Sequence, residues 1–444
     1  MGLGAKIEKF GLNSSSNLIV DMKKLLLAFL VLPVVMASAQ KQYLHCGSVF
    51  DPVTEKWSKE KTLVVDDRFI VEVLDGYTAA ADGEVIDLKN QFVMPGFIDM
   101  HVHIESESNP RAYLDKFTLN PADIAFRAAV NAKKTLMAGF TTVRDLGGSG
   151  VNISLKNAIE SGLVEGPRIF TTGKTIGSTG SHADPTSGVR KDLMGDPGAV
   201  DGIVNSVEDA RKAVRQRYKD GANTIKITAT GGVLSTTKNG KNAHFTIEEI
   251  KEIVRTAEDY DFLTAAHAHG DEGMRRAVIA GIHTIEHGTL MSEETMELMK
   301  QYGTYLVPTI TAGKQVSINA EIEGYYPPMV AAKAKEIGGK QSQATFAKAY
   351  KKGVNIAFGT DAGVFNHGEN AREFFYMNEA GMPVSKALKA ATLVNAQLLG
   401  MSDQIGQVKK GYLADMVATD EHPEKNVLAL QQVSFVMKEG KRVK

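Results

Sequence analysis

Histidine, lysine and aspartate recur in this chain of 444 residues at the ends of short β-rich runs. The first case is His101-Val102-His103. In a strand, residues i and i+2 share a face, so both imidazoles address one point while Val102 turns into packing. An isolated pair of this kind is more often two hydrogen-bonded polar histidines than a metal site. Lys226 alternates with Ile225 and Ile227 in Thr224-Ile225-Lys226-Ile227-Thr228. If the isoleucines pack against helices, Lys226 points inward, where an ammonium is costly to desolvate. It is then either salt-bridged or chemically modified into an anion. Further along, Ala265–Gly270 supplies His267 and His269, Ile285–Gly288 supplies His287, and Gly359–Gly363 supplies Asp361. Any one of these could be structural. Their recurrence at successive strand ends predicts a shared metal site. Imidazole and carboxylate donors suit zinc, with iron, manganese and cobalt also accommodated. Two such metals about 3.5–4 Å apart polarise a carbonyl and generate hydroxide at neutral pH.

The elements that must position these residues follow one rhythm. Eight β-rich runs occur: 92–104, 140–146, 168–176, 224–231, 262–269, 283–289, 304–310 and 355–361. Helical patterns such as 247–260 and 293–302 lie between them, and Thr246 with Glu249 fits a capping box. Strand–helix alternation of this kind predicts an α/β fold, a (β/α)8 TIM-like barrel. The flanks differ. Residues 42–88 read as short strands broken by Asp51-Pro52, Asp75-Gly76 and Asp82-Gly83, and 415–419 and 433–438 resume that style before Glu439-Gly440. The two ends are expected to pair into a small composite β-sandwich domain. The predicted organisation is therefore an export region over 1–39, the first part of a β-domain over 40–90, the barrel over 91–400, and the second part of the β-domain over 401–444.

Composition excludes several classes. The net charge is −1 and no basic stripe is present, so nucleic acid is not an expected partner. A single cysteine, Cys46, allows neither an internal disulfide nor a cysteine-rich metal site. Near the start, Lys23-Lys24 precedes an apolar run from Leu25 to Met36 and then Ala37-Ser38-Ala39. This order matches a signal peptide beginning at about Met22, with the mature chain starting near Gln40. The protein is expected to be exported, periplasmic or secreted, with no integral membrane span once the signal is removed. Thr230-Gly231-Gly232 lacks phosphate-loop spacing and is expected to allow close backbone approach near substrate. The Gly-, Asp- and Pro-rich segment 191–204 is a candidate lid or specificity loop.

Taken together, Met94–His103, Gly139–Arg144, Ile225-Lys226, Ala266–Gly270, Glu286–Gly288, Gly359–Asp361 and Gly411–Asp415 resemble the amidohydrolase superfamily, in its imidazolonepropionase-related branch of metal-dependent dipeptidases and carboxypeptidases. The resemblance runs from about Gly47 to the C-terminus. It implies that His101 and His103, with Asp361, bind the more buried of two metals. His267 and His287 would bind the second. Lys226, as its carbamate, would bridge them. It further implies a metal-bridging hydroxide as nucleophile, with Asp361 as general base and then acid. Relatives release a C-terminal residue such as proline, arginine or lysine from dipeptides or N-acyl amino acids, and they commonly form homo-oligomers. Histidines placed like His182, in Thr179–Asp184, and His269 contact substrate in those relatives. The alternative for each is a loop or supporting histidine. A cyclic-amide hydrolase like imidazolonepropionase and an amide-mycotoxin hydrolase are the other enzymatic readings. Lys226 and the export signal weigh against the cyclic-amide reading. A non-catalytic metal-binding protein is the reading from another class, and the complete ligand set weighs against it.

Overall fold

The computed structural model describes residues 1–2, 40–80, 82–237 and 239–444. The predicted signal segment lies outside the described residues. The fold that follows is that of residues 40–444. No helix among the described residues is long and apolar enough to cross a membrane.

Both chain ends build one mixed sheet of seven strands. The strands are β1 (Lys41–Asp51), β2 (Lys56–Asp66), β3 (Phe69–Asp75), β4 (Gly83–Pro95), and, from the far end of the chain, β13 (Met416–Thr419), β14 (Phe435–Lys438) and β15 (Lys441–Arg442). Their order is β15-β14-β13-β4-β1-β2-β3. β1 pairs with β2 antiparallel and with β4 parallel, and β4 pairs with β13 antiparallel. Edge strand β3 bonds back to the segment before β13: Ile70 N–H donates to Tyr412 O at 2.9 Å, and Gly411 N–H donates to Ile70 O at 2.7 Å. Leu44, Leu63, Ile70, Val93, Met416 and Phe435 then share one apolar cluster. The expected composite of the two ends is thus a single sheet bent onto itself, with no second facing sheet among the described residues.

The parallel strands are β5 (Phe97–Val102), β6 (Phe140–Asp145), β7 (Arg168–Thr171), β8 (Thr224–Thr228), β9 (Leu263–Ala268), β10 (Thr284–His287), β11 (Tyr305–Val307) and β12 (Asn355–Ile356). They form two arcs, β5-β6-β7 and β12-β11-β10-β9-β8. Isolated parallel bridges join the arcs at both seams, Ile176 to Ile227 and Val102 to Ala362. A continuous closed ladder is not formed among the described residues. Two expected runs are corrected. The run 92–104 breaks at Gly96 into β4 and β5, which belong to different sheets. A Cβ on Gly96 would lie 2.3 Å from Thr141 Oγ1, so the crossover passes too close to β6 for any side chain. The run 355–361 keeps only two ladder residues, yet Asp361 N–H still donates to His101 O at 2.7 Å and so runs beside β5.

Burial follows pattern. Every residue of β5, β6 and β8 is buried, as expected of parallel strands covered on both faces. Ile225 and Ile227 pack in the main core with Val214, Ile250 and Ile253 of the surrounding helices, which leaves Lys226 to the interior. The expected helices occur at Ile247–Glu258 and Glu293–Tyr302, and the Thr246–Glu249 capping box is formed.

Candidate active site

The parallel strands, with the loop after β7 that carries His182, deliver every predicted site residue to one cavity of about 780 Å³. His101, His103, His182, Lys226, His267, His269, His287 and Asp361 all line it. His101 and Lys226 sit on β5 and β8, and His267 and His287 on β9 and β10. His103 and His269 lie just past β5 and β9, and Asp361 follows β12. One ligand atom each from His101, His287 and Asp361 falls within 4.8 Å of the others.

Hydrogen bonds fix which ring nitrogen faces the cavity. His103 Nδ1 donates to Gly147 O at 2.7 Å, and His101 Nδ1 donates to the Glu286 carboxylate at 2.8 Å. Carbonyl and carboxylate oxygens only accept, so each Nδ1 carries the proton and each Nε2 carries a lone pair. His267 has the reverse arrangement: its Nε2 donates to Gly231 O at 3.0 Å, which frees Nδ1. His287 Nδ1 is tied to Thr309 Oγ1 at 2.7 Å. Burial holds His101, His267 and His287 well below the usual histidine pKa and His103 down to about 4, so the rings are neutral.

Asp361 Oδ1 lies 3.4 Å from His101 Nε2 and 3.5 Å from His103 Nε2 and has no hydrogen-bond partner. Two unprotonated ring nitrogens and a carboxyl oxygen therefore point at one another inside the protein. With Asp361 ionised that arrangement favours a cation beside it, and its donors suit a divalent metal. The residues fit a metal centre. Lys226 Nζ sits 3.4 Å from His101 Nε2. Burial lowers the Lys226 pKa and raises that of Asp361.

His182 stacks on His267 with ring centroids 4.4 Å apart, and its buried Nδ1 has no partner. A Cβ on Gly232 would lie 2.3 Å from the His182 ring, so the expected close backbone approach is made here. His269 stacks on His287 at 5.0 Å, with Nδ1 bonded to Thr289 Oγ1 at 2.9 Å. From the segment 191–204, Met194, Asp196, Pro197 and Asp201 reach the cavity.

Sequence reading missed the group behind His101. Glu286 and Arg144 are fully buried and paired at 2.8 Å. Arg144 also donates to Met100 O at 2.6 Å and to Thr284 Oγ1 at 3.1 Å. The only signal was the alternation of Thr284 and Glu286 with Ile285 on β10.

Comparison with known proteins agrees with this chemistry. The model of the amidohydrolase family matches residues 92–443. A solved Xaa-Pro dipeptidase with bound methionine in the active site is 45% identical, with a TM-score of 0.88 over 91% of this chain and 100% of that one. A solved prolidase complexed with N-methylphosphonate-L-proline is 31% identical, with a TM-score of 0.82 over 91% of this chain and 99% of that one. Ochratoxinase of Aspergillus niger is 32% identical over 370 residues, 79% of this chain and 75% of that protein. The chain belongs to the amidohydrolase family and is a hydrolase acting on C–N bonds.

Proposed function

We propose that this protein is a binuclear metallo-dipeptidase that releases the C-terminal amino acid from dipeptides or N-acyl amino acids, with proline, arginine and lysine as candidates for the released residue. The observation that carries the reading is the convergence of His101, His103, Lys226, His267, His287 and Asp361 on one cavity. The Xaa-Pro dipeptidase and prolidase likenesses support the peptide substrate. In this reading the two strand arcs act as one eight-stranded barrel whose rim carries the site, flanked by β-domain parts at 40–90 and 401–444.

His101, His103 and Asp361 would hold one metal, His267 and His287 the other, with Lys226 between them. Zinc suits this set. Burial holds Lys226 below its usual pKa, which favours the neutral amine that is required for carboxylation to an anionic carbamate. When bound, the metals supply carbonyl polarisation and a nucleophile from water at neutral pH. Asp361 accepts the proton of the attacking water on its free carboxylate oxygen and passes it to the leaving nitrogen. His182 and His269 orient the substrate from the cavity wall. Export to the periplasm or beyond and assembly into a homo-oligomer complete the proposal.

The test is amino-acid release from a panel of dipeptides and N-acyl amino acids, with and without chelator. Chelator-sensitive release of one residue class supports the reading. Absence of release from every member, with hydrolysis of an aryl amide instead, moves the function to the mycotoxin-amide reading. The likeness to ochratoxinase favours that second reading.

A further inference from the structure

The cavity lining is divided in character. Away from the histidine centre its charged residues are Lys174, Asp196 and Asp201, all from the chain between β7 and β8, and Lys174 and Asp201 pair at 3.4 Å. Another part of the lining is apolar: Val233, Leu234, Val316, Ile337 and Val364. These five belong to, or pack against, one cluster that includes Val330 and Ala334, so they form a continuous surface.

Two of the five, Val233 and Leu234, lie on a segment without helix or strand, residues 231–237. Nothing in its own secondary structure holds that segment in place. Lys333 does, from the helix Pro328–Glu336. Its side chain is buried, and Nζ donates to Gly232 O at 2.8 Å, Ser235 O at 2.6 Å and Thr237 O at 2.9 Å. All three ammonium protons are used on carbonyls. Tyr113 adds a fourth tie, donating to Leu234 O at 2.6 Å. The Gly232 carbonyl in this clamp belongs to the residue against which the His182 ring rests. An ammonium buried among carbonyls is costly to desolvate, and an apolar side chain would fill the same space. The cation is explained by the loop it holds.

We propose that Lys333 is a positioning residue for selectivity: by pinning residues 231–237 it fixes an apolar subsite that takes an aliphatic or aromatic side chain flanking the scissile amide. The inference rests on the reading of this cavity as the substrate site.

The experiment compares wild-type protein with Lys333→Met and Leu234→Ala on dipeptides in which Gly, Leu, Met, Phe, Lys and Glu replace one another at each position in turn. At one position the wild type is expected to favour Leu, Met or Phe over Lys and Glu by ~10-fold or more in kcat/KM, the scale on which an apolar pocket discriminates. In Lys333→Met that ratio should collapse through a higher KM for the apolar substrates, with metal content unchanged. Leu234→Ala, which keeps the clamp, should lower the ratio as well. A folded Lys333→Met protein with the wild-type ratio overturns the proposal, as does an equal loss on glycine and leucine substrates. If the wild type cleaves no dipeptide of this panel, nor any with proline or arginine at the C-terminal position, the dipeptidase reading fails separately. Hydrogen exchange at amides 232–237 then decides. Faster exchange in Lys333→Met, with protection of the wild type by free leucine and not by lysine, upholds the subsite; the absence of either effect overturns it.

Discussion

Replacing Glu286 by Gln changes one oxygen to an amino group and removes one charge at a position with no solvent exposure. The carboxylate accepts from Arg144 Nη2 and His101 Nδ1, each at 2.8 Å, and from the Thr284 hydroxyl. A glutamine has one acceptor oxygen for two opposed donors. If it faces His101, its amino group meets the Arg144 guanidinium; if it is flipped, its amino group meets His101 Nδ1–H. One bond to a charged group is lost either way, worth ~1.5–3 kcal/mol. Arg144 also loses its buried counter-ion, a defect that costs ~3–5 kcal/mol in folding when one partner of a buried pair is removed. Loss of the group orienting a ligand histidine weakens metal binding by ~10–100-fold. Two assays separate the terms. Thermal unfolding of metal-free protein reads the buried pair. Metal retained per subunit against graded chelator reads the orientation of His101. A folded Glu286→Gln protein that holds metal within threefold of wild type would refute the orienting role, even if its melting temperature falls.

Lys226→Ala should lose metal and activity together, checked by metal content and turnover on one sample; full metal occupancy in an inactive variant would remove Lys226 from the ligand set. His269→Ala should retain metal but lower kcat/KM by ~10²-fold or more, the scale of a positioned catalytic-site group; an unchanged kcat/KM would take that histidine out of the site. Glu252 is held down to about 2 by its hydrogen bond to Arg255, with Arg211 adding to the shift. Its folded pKa lies below the unfolded value of 4.5, so its contribution to stability is present above about 4.5 and is lost as pH falls towards about 2. Melting temperature against pH should therefore fall less steeply over that window in Glu252→Gln, and an identical slope would show that the pair contributes nothing.

The residues that line the candidate site were legible because local sequence encodes them. Strand alternation puts His101 and His103 on one face, and the ends of the parallel β-runs face one cavity. Seven of the eight predicted residues reach one cavity for that reason, and His182 reaches it from the loop after β7. What holds them in register was not legible. Glu286 bonds His101 across 185 positions, and Lys333 bonds Gly232 across 101. No periodicity links such partners, and a lysine in the pattern Pro328–Glu336 reads as surface charge until the fold buries it. The break at Gly96 was missed for a related reason. Residues 92–104 are uniformly β-rich, and only the proximity of Thr141, on another strand, shows that no side chain fits there.

The site also draws on backbone that a sequence pattern does not reveal. His287, Thr309 and Asp361 adopt φ of 71°, 48° and 61°, a left-handed conformation that side chains disfavour. Each costs of the order of 1–3 kcal/mol unless its surroundings enforce it. For Thr309 the enforcing group is Glu373, whose carboxylate accepts from Ile310 N–H at 2.7 Å, Thr311 N–H at 2.8 Å and the Thr311 hydroxyl at 2.7 Å. That fixes the first turn of the helix Ile310–Asn319. It thereby sets the place of Thr309, whose hydroxyl is bonded to His287 Nδ1. Asp361 is held by its N–H bond to His101 O, so the backbone of one proposed ligand anchors that of another. His101, backed by a carboxylate, is a more basic donor than His287, backed by a neutral hydroxyl. In the proposed centre His101 and His287 would therefore differ in donor strength although both are histidines, and that difference comes from groups outside the proposed ligand set.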